Sequence, residues 1–307
     1  MRQYSLPKLR CPACKQGLNL ETLNKVGSEI IEGRLICQCG QSYPIQDGTP
    51  NFIYPDNLLP SDEEFLQKYN KSAEQYDKGI DWLFKSFYED ENSVRSQMVE
   101  LLGVQPGSCV LEVACGTGRD TLHIARHIGS EGELYVQDIS SDMIKISKRK
   151  LANLQTPVEY FLSNAAYMPF ADGVFDAVFH FGALNTFSEI GRALAEMTRV
   201  VCTGGKVVVG DESVPPWLRK RLFGRILMKA NPLYKNKPPL DRLPENVQNV
   251  CLRWILGNAF YVIDYRVGSM PPKLDLDLPI PGKRGGTLRS RYYGTKSHKK
   301  DKSHEVD

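Results

Sequence analysis

The sequence predicts an α/β fold in which a mainly parallel sheet is wound with helices on both faces. Three observations predict it. Short apolar runs bounded by turn residues alternate with stretches of helical spacing from Cys109 to Asp211. One run, Val110-Leu111-Glu112-Val113, passes directly into Ala114-Cys115-Gly116-Thr117-Gly118 and then into a helical stretch starting at Arg119. A strand, a Gly-x-Gly turn and a helix start make a nucleotide-binding corner: glycine lets the backbone approach a ligand, and the first helical turn has free N–H groups. The third observation is size. A chain of 307 residues, 41% hydrophobic and 24% charged, suits one large domain plus a small module.

The small module comes first, over residues 1–55. Cys11-Pro12-Ala13-Cys14 is a C-x2-C knuckle, and Cys37-Gln38-Cys39-Gly40 follows after a partly apolar stretch. Two such knuckles on hairpins can present four thiolates to Zn²⁺, so Cys11, Cys14, Cys37 and Cys39 are the expected metal ligands. The second knuckle is C-x-C, one residue short of the usual ribbon spacing. No histidine is near enough to substitute, the five being His123, His127, His180, His298 and His304. So small a module has little core of its own, and the metal is expected to supply much of its folding energy. The other four cysteines are scattered and read as small buried apolar residues rather than a disulfide framework.

Next is a polar linker, Asp56–Asp62. Glu63–Tyr76 then has helical spacing with Phe65, Leu66, Tyr69, Ala73 and Tyr76 on one side. Trp82–Tyr88 is aromatic-rich and is expected either to line an acceptor pocket or to pack in the core. Ser93–Leu102 reads as a helix ended by Gly103 and Pro106-Gly107. The second strand, Leu134–Asp138, ends on an acid 20 residues after Gly118. An acid there can accept hydrogen bonds from both ribose hydroxyls of a nucleoside. Ser140 caps the following helix. Val158–Leu162 and Phe175–His180 are strands three and four, with the loop Asn164–Phe170 between them. Ile190–Val201 is a helix and Lys206–Asp211 is strand five. Beyond it, Pro215–Ala230 and Pro244–Leu256 read as helices, Phe260–Val267 as a strand, and Leu274–Leu278 as a return strand completing seven.

These segments together resemble a known family. "LEVACGTG", "YVQDIS", "NAAYMPFADGVFDAVF" and "EMTRVVCTGGKVVV" occur in the order and spacing of class I S-adenosylmethionine-dependent methyltransferases, and are most similar to the ubiquinone/menaquinone C-methyltransferase-like branch. The resemblance covers about residues 69–212. It implies a Rossmann-like seven-stranded sheet in a domain over residues 56–278. It also implies that S-adenosyl-L-methionine is held by Glu112, Ala114, Gly116, Thr117 and Gly118, by Asp138 with Ile139 at the ribose, by Asn164 with Ala165 at the adenine, and by His180. Asn164 stands where the family usually has Asp, and its side-chain carbonyl can still accept from an adenine amino group. Thr203 stands where Pro is usual. Tyr69–Asp77 resembles the "Y-x3-A-x2-YD" segment that lids the pocket in small-molecule methyltransferases. In the N-terminal module, the cysteines with Tyr43-Pro44-Ile45-Gln46-Asp47-Gly48-Thr49-Pro50 resemble the zinc ribbon of the tRNA methyltransferase activator family.

Methyl transfer from a sulfonium is an in-line displacement in which the protein aligns the acceptor and excludes water. A base is needed only where the acceptor must lose a proton. His180, at the end of strand four, is the expected base, with Asp211 and Glu212 next. Phe181-Gly182-Ala183-Leu184 is not the Asn/Asp-Pro-Pro-aromatic motif that binds a flipped base, which argues against adenine-N6 methylation.

The motifs specify the donor and leave the acceptor to the charged segments. Residues 213–243 carry eight basic residues and one acid, and residues 280–307 carry eight basic and three acidic, although the whole chain is only +3. A basic cap at 213–243 and a basic, partly disordered tail at 279–307 therefore sit on an acidic body and suit an anionic partner. The cap suits a lipid-like or anionic acceptor or peripheral contact with a membrane. The tail, with its Gly, Arg and Tyr residues, suits RNA. The favoured function is methyl transfer to C or O of a small-molecule or lipid-like acceptor. One alternative is an RNA (rRNA) base methyltransferase, and another is a non-catalytic S-adenosylmethionine-binding scaffold whose ribbon contacts protein. The chain shows no transmembrane run and no signal-peptide core, so a cytoplasmic location is expected.

Overall fold

The computed structural model describes residues 1–269, 277–279, 286–287 and 289–290. It divides into two compact units, 1–269 and 270–307. In the second unit Arg289 pairs with Asp277 at 2.9 Å. The expected basic tail and its Gly/Arg/Tyr segment lie almost wholly outside the described residues.

In the first unit four strands come before the helices: β1 (Leu18–Val26), β2 (Glu29–Cys37), β3 (Ser42–Gln46) and β4 (Thr49–Phe52). They form an antiparallel meander, and both cysteine knuckles sit in turns, one ahead of β1 and one between β2 and β3. Then follow α1 (Pro60–Ser86), α2 (Glu91–Glu100), β5 (Cys109–Val113), α3 (Arg119–Ile128), β6 (Glu133–Asp138), α4 (Ser141–Lys150), β7 (Val158–Ser163), β8 (Phe175–Phe181), α5 (Ile190–Val200), β9 (Val201–Glu212), α6 (Leu222–Ala230), β10 (Val247–Ile255) and β11 (Phe260–Val267).

Strands β5 to β11 are the seven of the expected sheet, in the order β7-β6-β5-β8-β9-β11-β10. The first five run parallel, β11 returns antiparallel to β9, and β10 is antiparallel to β11. The order reverses between β5 and β8. Ligands of doubly wound sheets bind at such a reversal, outside the carboxyl ends of the strands.

The N-terminal meander extends this sheet instead of standing apart from it. Strand β4 pairs in parallel with β7, Asn51 opposite Leu162 and Phe52 opposite Ser163, so the sheet reaches eleven strands. The packing is also shared. Leu9, Cys11, Leu35, Ile45 and Phe52 belong to one apolar cluster with Tyr135, Phe161, Phe170 and Phe175. Arg2 pairs with the buried Glu159 at 3.0 Å, and Lys15 with Glu196 at 2.6 Å.

Three expectations change. The helix expected over Glu63–Tyr76 runs on through the aromatic stretch as the 27-residue α1. Trp82 and Tyr88 are therefore exposed, while Leu83 and Phe84 turn inward. The expected helix Pro215–Ala230 is a turn through residue 220 followed by the nine-residue α6. The expected helix Pro244–Leu256 is instead strand β10, a hairpin with β11. Its turn, Leu256-Gly257-Asn258, places all three residues at positive φ, a conformation that Gly and Asn tolerate and that a helix cannot contain. With β10 in place the seven strands are complete without the expected strand Leu274–Leu278, most of which lies outside the described residues. Among the described residues no helix is long and apolar enough to cross a membrane.

Candidate functional site

Strand β5 delivers the chain into the turn Ala114–Gly118, which sits at the sheet reversal. Ala114, Gly116 and Gly118 all have positive φ. The two glycines serve different ends. A Cβ on Gly118 would meet Ser147 Oγ at 2.5 Å and Leu151 Cδ1 at 2.7 Å, so Gly118 lets α3 pack close to α4. A Cβ on Gly116 would meet nothing within 4 Å: it would enter open space over the turn, where a ligand can lie directly on the backbone.

Beside that space stands Asp138, at the carboxyl end of β6. Its Oδ2 accepts from Gly116 N–H and its Oδ1 from Ser140 N–H, each at 2.8 Å. Burial lifts its carboxyl to about 6, although these N–H groups favour the charged form. A further backbone N–H, that of Ile139, also favours the charged form, and the two oxygens together keep acceptor capacity for hydroxyl donors. Ala114, Gly116, Asp138 and Ile139 border one cavity with Met143, Gly182, Thr186 and Phe187, and α1 closes it with Phe65, Leu66, Tyr69 and Tyr76. Helix α1 thus covers this cavity. It is tied down along its length: Asp62 accepts from Ser188 N–H at 2.9 Å, Ser140 Oγ donates to Asn70, and Thr117 Oγ1 donates to Asp77 at 2.5 Å.

A second cavity shares Tyr69, Tyr76, Ala114, Gly116 and Gly182 with the first, so the two meet over the glycine turn. Its walls are apolar at Ile80, Leu83, Phe84, Phe181, Leu233 and Phe260 and polar at Arg95, Thr117, Glu212 and Asn231. Arg95 is buried between Glu91 and Asp120, at 2.6 and 2.5 Å, and these carboxylates raise its basicity despite burial. Sequence reading missed this pair. The i,i+4 spacing of Glu91 and Arg95 was visible, but the long-range partner Asp120 was not. Next to Glu212, Asp211 is fully buried, bonded to the N–H groups of Asn185 and Glu212, and pushed well above the usual carboxylate range by burial and the neighbouring charge.

The remaining expected residues border neither cavity. Glu112 is buried beneath the turn, accepts from Thr121 Oγ1 at 2.5 Å, and is lifted well above its usual range by burial and by Asp120. Asn164 uses its side-chain oxygen on Ala166 N–H, at 2.9 Å, which shapes the loop; Ala165 is half-buried beside it. His180 is fully buried, its Nδ1 donating to Val113 O at 2.8 Å and its ring 5.2 Å from Phe187. Burial lowers it to about 4, so it is a neutral imidazole behind Phe187.

The four expected metal ligands do come together. The Sγ atoms of Cys11, Cys14, Cys37 and Cys39 all lie within 4.8 Å of one another, with Cys11–Cys39 at 3.7 Å and Cys14–Cys37 at 3.4 Å. Tetrahedral Zn²⁺ with Zn–S of about 2.3 Å sets sulfurs about 3.8 Å apart, so the cluster fits the ion. Tyr43 Oη sits 3.2 Å from Cys11 Sγ and braces it. The first knuckle also reaches the body: Lys15 Nζ donates to Met168 O at 3.0 Å, Arg10 N–H to Pro169 O at 2.8 Å, and Ala171 N–H to Lys8 O at 2.8 Å. The metal module thus grips the loop after β7.

Two family models match the chain. A family model described as "ubiE/COQ5 methyltransferase family" matches residues 61–220, and one described as "Trm112p-like protein" matches residues 6–48. A ubiquinone/menaquinone biosynthesis C-methyltransferase UbiE from Marinomonas sp. (strain MWYL1) is 32% identical over 175 residues, covering 55% of this chain and 68% of that protein. A demethylmenaquinone methyltransferase from Bacillus cereus (strain B4264) is 33% identical over 156 residues, covering 47% and 66%. The chain spans 61–68% of the length of the first such relatives. Among solved structures, a SAM-dependent methyltransferase from Aquifex aeolicus is similar at 18% identity and a TM-score of 0.43, covering 56% of this chain and 89% of that one.

Proposed function

The chain belongs to the ubiE/COQ5 methyltransferase family, and from that premise we propose that it is a cytoplasmic enzyme that methylates a ring carbon of a quinone-like, lipid-like acceptor. The observation that carries this reading is the second cavity, which meets the Asp138 cavity over the glycine turn and sets Glu212 beside apolar side chains, with Asp120 held by Arg95 and with Arg119 and Lys68 also in its lining. In this reading Asp138 takes the ribose, Ile139 flanks it, and the Ala114–Gly118 backbone holds the methionine part of S-adenosylmethionine, with α1 closing over both. When bound, that cofactor supplies an electrophilic methyl group on sulfur. A quinol ring becomes nucleophilic at carbon once a hydroxyl proton is lost. The carbon–methyl bond forms as the methyl–sulfur bond breaks, and the ring C–H proton then passes to the oxygen and restores the quinol, so the one proton released overall is that taken from the hydroxyl. Glu212 borders the second cavity and accepts that proton, while the packed pair Phe181 and Phe260 offers the ring an apolar wall and Leu233 excludes water. His180 is assigned a positioning role, fixing β8 to β5 through Val113 O.

Glu212→Gln is nearly isosteric and is expected to lower kcat for a reduced demethylmenaquinol-type acceptor by about 10²–10⁴-fold, with calorimetric affinity for S-adenosylmethionine unchanged. An unchanged kcat would remove Glu212 as the base, and loss of turnover in His180→Gln alone would return that role to the imidazole.

A further inference from the structure

We propose that the outward face of α6 is a docking surface for an anionic lipid bilayer, set beside the second cavity. The helix is apolar on both of its sides, with cations added to the outer one. Its inner side is Gly224, Leu227 and Met228. A Cβ on Gly224 would strike Leu218 O at 2.1 Å, so the helix lies hard against the preceding turn. Its outer side carries Leu222 and Ile226, 74% and 56% exposed, with Phe223 also exposed. At 100° per residue, Arg225 and Lys229 fall on the same outer side as Leu222 and Ile226.

Charge selects the occupant. Residues 213–243 hold eight basic residues against Asp241 alone. Arg219 is consumed internally, donating to the carbonyls of Val214, Lys235 and Asn236. Among the described residues, no ion pair engages Lys220, Arg221, Arg225 or Lys229. Aliphatic side chains level with unpaired cations match the acyl boundary and phosphate layer of an anionic bilayer. A folded protein partner would instead have to supply several matched carboxylates around an apolar pocket.

Position agrees. Asn231 and Leu233, which follow α6 directly, line the second cavity, and Phe223 packs on Phe87 at the end of the lid helix with ring centroids 6.4 Å apart. The surface that meets lipid is thus continuous with the wall of the acceptor cavity and with the lid. The inference deepens the acceptor reading by placing where a lipid-like acceptor is met. Vesicle binding is measured without turnover, so its failure leaves the methyl-transfer reading standing.

The test is co-sedimentation of the full zinc-loaded chain with phosphatidylcholine vesicles containing either no phosphatidylglycerol or about 30% of it. The chain is expected to sediment with the anionic vesicles only. Arg225→Gln/Lys229→Gln is expected to weaken binding about thirtyfold, from roughly fivefold per basic side chain near such a surface. Leu222→Asp/Ile226→Asp is expected to weaken it at least about tenfold. Affinity for S-adenosylmethionine should be unchanged in both variants, which shows that they fold. A wild-type chain that stays in the supernatant overturns the proposal. So do variants that bind like wild type, a wild-type dimer that the aspartate pair dissociates without any vesicle binding, or retention on a synthetic RNA in place of vesicles.

Discussion

Asp138→Ala is expected to weaken S-adenosylmethionine binding at least about a hundredfold, because two hydrogen bonds to a charged acceptor are lost at about 1.5–3 kcal/mol each. The substitution also strips Gly116 N–H and Ser140 N–H of their acceptor, so the turn that carries the ligand loosens with it. The same carboxylate sets a pH dependence. Burial raises it from 3.8 to about 6 in the folded chain. Because the folded value lies above the unfolded one, the ligand-free protein gains stability as pH falls from about 6 towards 4 and loses it as pH rises through that window. Ribose hydroxyls donate to the ionised form, so affinity moves the opposite way: it should be level above pH 7 and about tenfold weaker at pH 5. Calorimetric titration across pH 5–8 of wild type and of Asp138→Ala checks both. A wild-type affinity that is flat in pH, or an alanine variant that binds like wild type, would remove Asp138 from the ribose.

Removing the zinc is expected to damage the whole first unit and not the ribbon alone. Four thiolates hold two turns of a meander whose last strand is hydrogen-bonded to β7 and whose apolar residues share a cluster with Tyr135 and Phe161. A structural zinc site of this kind contributes on the order of 10 kcal/mol in an isolated finger. Even half of that lowers Tm by more than about 10 °C, at about 2–4 °C per kcal/mol for chains of comparable size. The loop after β7 should loosen too, since Lys8, Arg10 and Lys15 bond its backbone at Ala171, Pro169 and Met168. Chelation, or Cys11→Ser/Cys14→Ser, is therefore expected to lower both Tm and S-adenosylmethionine affinity. A chelated protein that keeps its melting temperature would show that the meander stands without metal.

The features legible in the sequence were those that local chemistry dictates. Gly116 and Gly118 marked a turn where backbone must approach a ligand or a neighbouring helix closely, and four cysteines in two close pairs had to meet a metal or each other. Asp138 followed from strand-and-turn spacing. What escaped depended on contacts far along the chain. Strand β10 has apolar residues at spacings compatible with a helix, and only its pairing with β11 decides between the two; Gly257-Asn258 was the local signal that could have found it. The parallel pairing of β4 with β7 joins residues more than a hundred apart and leaves no local signature. His180 shows how one step of register matters. Side chains along a strand alternate faces, so Phe179 and Phe181 pack on one side of β8 and Val178 on the other. Being at the end of the strand put Phe181, not His180, in the wall of the second cavity. The glutamate at the end of β9 was read as secondary, yet its neighbourhood with Tyr69 and Tyr76 arises only when the lid helix folds over it.

The most direct measurement is methyl transfer itself. The zinc-loaded chain is incubated with labelled S-adenosylmethionine and, separately, with reduced quinone-type lipids lacking one ring methyl, total RNA, and other small-molecule extracts, and products are identified by mass spectrometry. The account predicts label on a ring carbon of the quinol fraction, lost in Glu212→Gln and in Asp138→Ala. Label entering RNA alone, or none entering any fraction while the cofactor still binds, would contradict it.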